Sequence, residues 1–200
     1  MPETWWRRPG RAWCAVAALL ALGSALGQVT PTAAIDWQHA LWAREPWRAF
    51  SAAFVHYSAL HMIGNAAGLA LVTAFGAAAR SPPRLALAWL AAWPLTQLGL
   101  LGQPGLAHYG GLSGVVHAGV AIVCVYLIAA GHRWLGGAVF AGLVVKVLSE
   151  TPWGEPLRHP PGWDIAIAPF AHASGLVAGT ASALVAEGAA WRARGQARSP

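Results

Sequence analysis

The sequence predicts an all-α polytopic membrane protein with six transmembrane helices, and three observations predict it. Hydrophobic residues make up 56% of the 200 positions against 10% charged, with a mean hydropathy of +0.48, a balance foreign to soluble domains. Six apolar runs, at 12–29, 60–79, 85–102, 113–130, 134–148 and 169–186, are each about long enough to cross roughly 30 Å of hydrocarbon. Basic residues gather in alternate loops between them, the pattern that marks cytoplasmic loops.

That alternation sets the orientation. Arg7, Arg8 and Arg11 precede the first run, Arg80 and Arg84 separate the second from the third, Arg133 separates the fourth from the fifth, and Arg192, Arg194 and Arg198 follow the sixth. The opposite side carries Asp36, Glu45, Glu155 and Asp164 against Arg44, Arg48 and Arg158. The expected layout is a cytoplasmic segment at 1–11, a membrane domain at 12–188 and a basic cytoplasmic tail at 189–200, in a bacterial inner membrane. The tail after Trp191 reads as disordered. A net charge of +6 is spread between apolar runs rather than along a stripe, so no nucleic-acid partner is expected. Cys14 and Cys124 both lie inside runs and read as apolar filler. The first run, preceded by arginines and closed by Ala25-Leu26-Gly27, also fits a cleavable leader; its loss would leave the other orientations unchanged.

The loop after the first run is about thirty residues long and holds Trp37, Trp42 and Trp47, reading as an interfacial, partly helical segment on the outer leaflet. The second run opens with His61 and Asn65, four apart and so on one helical face. The third, with Pro94 and Gln97 but no ionisable group, reads as scaffold. Near the end of the fifth, Lys146 and Glu150 are again four apart; they read as a structural ion pair, or as recognition of a substrate terminus or lipid headgroup. The sixth begins with His172, Gly175 and Gly179 on one face, where small residues permit close helix approach.

The fourth run carries the chemistry. Tyr109-Gly110-Gly111-Leu112-Ser113-Gly114 puts a hydroxyl among glycines at the mouth of an apolar helix, where first-turn N–H groups face developing negative charge. Entering from the same side, the fourth and sixth runs place Ser113 and His172 at matching depth. A serine hydroxyl becomes nucleophilic when a neighbouring imidazole takes its proton. No carboxylate lies within a turn of His172, so the expected arrangement is a Ser113–His172 dyad. His61, Asn65 and the Ser113 N–H would serve the anionic intermediate.

These residues match a known pattern. His-x-x-x-Asn on the second run, Gly-x-Ser-Gly opening the fourth and Ala-His-x-x-Gly-x-x-x-Gly on the sixth resemble the rhomboid intramembrane serine proteases, over residues 12 to 188 and including Trp47-Arg48. The resemblance implies Ser113 as nucleophile, His172 as general base, His61 and Asn65 as the oxyanion hole, and Gly175 and Gly179 as helix-contact glycines. Many rhomboids carry tyrosine four residues after the serine, packed on the catalytic histidine. Here the position is His117, which either packs or tunes the pair. The compact length, Gly-Leu-Ser-Gly-Val-Val-His, and Lys146 with Glu150 look like the rhombosortase branch. That branch implies membrane-anchored protein substrates with a C-terminal Gly-Gly-containing sorting segment.

No cofactor or metal is expected. Two other classes compete with the protease: a metal transporter built on His61, His117 and His172, and a non-catalytic rhomboid that binds membrane proteins. The first lacks acidic or thiolate ligands and a histidine-rich loop. The second is expected to lack the serine or the histidine. His39, His56, His108, His132 and His159 read as packing or interfacial residues with no partner nearby.

Overall fold

A computed structural model describes residues 8–196; Arg7 and Arg198 of the predicted cytoplasmic flanks lie outside the described residues. The described chain is mostly helical. Its long helices are α1 (Arg11–Gly27), α4 (Ala59–Ala78), α5 (Pro83–Leu98), α6 (Ser113–Ala129), α7 (Arg133–Ser149) and α8 (Pro169–Gln196), with short helices α2 (Thr32–Ile35) and α3 (Arg48–Ser51) between the first two. Three helical stretches, Ala59–Ala78, Pro83–Gly102 and Pro169–Gln196, are long and apolar enough to cross a membrane; α1 and α6 are shorter apolar helices.

α6 is the axis. Val115, Ala118, Ala121, Ile122, Val123 and Cys124 are fully buried, because an apolar helix without a polar stripe has neighbours on every side. Trp89 of α5 donates its indole N–H to the Val115 carbonyl at 2.8 Å. Its ring stacks on Trp13 of α1, with centroids 4.2 Å apart. At the opposite end from Ser113, Arg84 pairs with Glu187 at 2.8 Å, joining α5 to α8. α8 runs unbroken to Gln196, so the stretch expected to be a disordered tail is helical as far as it is described. Its alanines and arginines are good helix formers that extend a packed helix readily.

The loop after α1 is more folded than an interfacial segment. Trp37 is 1% exposed, whereas Trp42 and Trp47 do lie on the surface. A two-residue strand β1 (Trp37–Gln38) pairs antiparallel with β2 (His108–Tyr109), matching Trp37 to Tyr109. No alternating run announces so short a ladder. Arg48 is buried beneath it, bonded to the Asp36 carboxylate at 3.2 Å, the Asp36 carbonyl at 2.7 Å and Glu45 at 2.6 Å. The other Asp36 oxygen meets His108 Nδ1 at 2.8 Å, giving His108 the partner that the sequence did not place. A buried guanidinium needs such a set, since each ion alone is costly to desolvate. The ladder thereby anchors the segment leading into Gly110, Gly111 and Ser113.

Candidate active site

α4, α6 and α8 begin, and α7 ends, at one end of the bundle, so His61, Ser113, Glu150 and His172 converge there. The approach of α8 to α6 explains how short side chains meet. A Cβ on Gly175 would collide with the Gly114 carbonyl, and one on Gly179 with the Ala118 carbonyl. With glycine at both places the backbones touch, and Ser113 Oγ donates to His172 Nε2 at 2.9 Å. Ser113 is the first residue of α6, and no side chain caps that terminus. Its first-turn N–H groups therefore have no intrahelical acceptor.

The other imidazole nitrogen is also engaged. His172 Nδ1 donates to Glu150 Oε2 at 2.7 Å. Glu150 Oε1 accepts from Lys146 Nζ at 2.9 Å, the expected pair. Lys146 also donates to His117 Nε2 at 2.7 Å, and His117 Nδ1 donates to the Ser113 carbonyl at 2.6 Å. The rings of His117 and His172 stack at 4.3 Å and 13°. His117 thus packs on His172 and joins its polar network. The carboxylate on His172 was hidden from sequence reasoning because it arrives 22 residues upstream, from another helix. Its only signal was the charged pair itself, at a depth where charges are expensive.

Across a cavity of about 1120 Å³ stand Tyr57, His61 and Asn65. The Ser58 hydroxyl caps α4 by accepting from the His61 N–H at 3.0 Å and donates to Asp164 at 2.8 Å. The Tyr57 backbone N–H donates to His61 Nδ1 at 3.4 Å, which leaves the ring proton on Nε2. That nitrogen lies beside Gly111, whose φ of +143° and cramped surroundings exclude a side chain. Asn65 Nδ2 is buried and has no protein partner among the described residues; a donor so placed is costly unless something in the cavity accepts from it. Tyr109, which the sequence did not single out, is buried and donates to the Gly111 carbonyl at 3.1 Å. Burial pushes its phenol up to about 12, so it remains a neutral donor. Burial likewise lowers His56 and raises Tyr57.

Chemically, the arrangement offers a hydroxyl poised to give its proton to an imidazole, with N–H donors facing it across a cavity. It does not resemble a metal centre. Among the described residues no group of three His, Cys, Asp or Glu has metal-holding geometry, and the position between His117 and His172 is taken by the Lys146 ammonium.

Against curated proteins the chain finds no match. A family profile described as Rhomboid domain matches residues 43–187, taking in Trp47-Arg48 and all four site-bearing helices but beginning after α1. Serine, histidine and glycine seam lie inside that match, and the chain belongs to the rhomboid family, the family of the rhomboid intramembrane serine proteases.

Proposed function

We propose that this chain is an active intramembrane serine protease in which Ser113 is the nucleophile and His172 the general base. The observation that carries the reading is the 2.9 Å contact from Ser113 Oγ to His172 Nε2 at the edge of a cavity. As Ser113 Oγ attacks a peptide carbonyl its proton passes to Nε2. The tetrahedral oxyanion is met by the α6 N-terminal N–H groups, His61 Nε2–H and Asn65 Nδ2–H. The imidazolium then gives its proton to the leaving amine, and water or another nucleophile releases the acyl group by the reverse steps. A substrate helix must unwind near Ser113, because its carbonyls are otherwise engaged by its own N–H groups.

The finer assignment is to the rhombosortase branch, acting on membrane-anchored proteins near a C-terminal Gly-Gly-type signal. Gly-Leu-Ser-Gly-Val-Val-His and the Lys146–Glu150 pair support it, and glycines in the signal ease the unwinding. Six spans, cytoplasmic termini and a site open to the periplasm of a bacterial inner membrane follow from the arginine distribution. Co-expression with a Gly-Gly-tailed membrane substrate tests the reading. The native chain is expected to process it, and Ser113→Ala and His172→Ala, each folded in the membrane, are expected to lose about 10³-fold or more. Continued cleavage by Ser113→Ala overturns the assignment of Ser113 as nucleophile; no processing by the native chain leaves a non-catalytic binder.

A further inference from the structure

The dyad expected from sequence leaves His172 Nδ1 without a role, yet that nitrogen has the shortest side-chain contact of the reacting pair. Glu150 reaches it from the end of α7 at 2.7 Å, with a side chain only 19% exposed. We infer that Glu150 is a positioning residue that completes a Ser113–His172–Glu150 triad, with Lys146 holding the carboxylate in place and His117 bracing the imidazole. This rests on the reading of Ser113 and His172 as the reacting pair.

The hydrogen-bond pattern admits one arrangement of protons. For Nε2 to accept from Ser113, the proton of neutral His172 must sit on Nδ1, and Glu150 is the acceptor there. A carboxylate at that nitrogen fixes tautomer and ring plane, and it offsets the imidazolium charge once the serine proton has moved. Lys146 cannot donate to an Nδ1 that carries a proton. Its 3.1 Å approach to that nitrogen is therefore incidental to its bonds with Glu150 Oε1 and His117 Nε2. His117 in turn has its own Nδ1 on the Ser113 carbonyl, so one lysine ties the carboxylate to the backbone of the nucleophile. The remaining groups nearby are otherwise occupied. Arg158 donates to the Glu150 carbonyl and Thr151 hydroxyl, Asp164 accepts from Ser58, and His61 faces the site across the cavity. Glu150 is thus the carboxylate in contact with the His172 ring among the described residues.

The test is the rate at which purified full-length protein reacts with a fluorophosphonate probe, followed against pH. The native chain is expected to label and Ser113→Ala to stay blank. Glu150→Gln is expected to label roughly 10- to 100-fold more slowly, less than the ~10⁴-fold loss when a soluble triad loses its acid, because His117 still stacks on the ring. The midpoint of its pH profile should move roughly one unit toward acid, since the imidazolium then faces Lys146 without a counter-charge. Glu150→Asp should bring the midpoint back. A purely structural role would not move that midpoint. Should Glu150→Gln not fold, Lys146→Met/Glu150→Gln removes both charges, and it too should label slowly. Native rate and midpoint in Glu150→Gln, or a native rate in the double variant, overturn the triad while leaving the serine protease intact. Failure of the native chain to label overturns both.

Discussion

Helix α8 carries His172 and α7 brings Glu150 to it, and both helices carry glycines, yet near the site they are built in opposite ways. Gly175 and Gly179 of α8 lie on α6 backbone beside the site, with no space for a further atom; α7 meets α6 backbone at Gly136, at the end away from Glu150, whereas Gly137 and Gly142 have nothing within 4 Å. Gly136 and Val147 are the buried residues of α7, and Trp134, Leu135, Val145 and Leu148 face outward. The difference follows from side-chain reach. Serine extends one bond past Cβ, so the Ser113–His172 contact requires touching backbones. Lysine and glutamate are long and find their partners from a loosely packed helix. The reacting pair is therefore fixed by the main chain, and the charged network by side-chain length.

That contrast can be broken at its tight end first. Gly175→Val pushes a branched side chain into the Gly114 carbonyl, and overpacking of this kind costs about 1–3 kcal/mol. The larger expected effect is on chemistry, since a displacement near 1 Å can cost about 10²-fold. Thermal unfolding and fluorophosphonate labelling read the two separately. Native labelling by Gly175→Val would mean that the seam does not set the distance.

A middle effect belongs to the bracing ring. His117→Phe keeps a flat partner for His172 but loses the bonds to Lys146 and the Ser113 carbonyl. Labelling should fall roughly 2- to 10-fold, the worth of one or two ordinary hydrogen bonds, and a larger loss would assign His117 a proton-handling part. The smallest effect is at the loose end. Gly142→Ala should change stability by no more than about 0.5 kcal/mol and leave labelling unchanged; a marked loss would reveal that α7's outward face is in use.

The sequence made much of the site legible because its logic is local. Helical spacing put His61 with Asn65 and His172 with Gly175 and Gly179, and the alternation of runs put Ser113 and His172 at one depth; all meet one cavity or one seam. What stayed hidden is tertiary. Lys146 and Glu150 satisfied the rule for residues one helical turn apart and looked complete as a pair, but a carboxylate has two oxygens and the second goes to His172. Periodicity is silent on how α7 is rotated against α8. The β1–β2 ladder is too short for alternation to show, and the burial of Trp37 follows from it. The helical course of α8 beyond Trp191 was masked by its charge, which reads as solvated tail when neighbours are not seen.

The proton ledger of the two stacked rings has one open line. His117 already accepts a hydrogen bond from the Lys146 ammonium and donates one to a carbonyl, so charging it would set two cations face to face. His172 donates a hydrogen bond from Nδ1 to a carboxylate and keeps Nε2 for the serine. Of the two stacked rings, the one aimed at the hydroxyl is also the one backed by a carboxylate, so selection between two adjacent imidazoles is achieved by what stands behind each rather than by which is nearer.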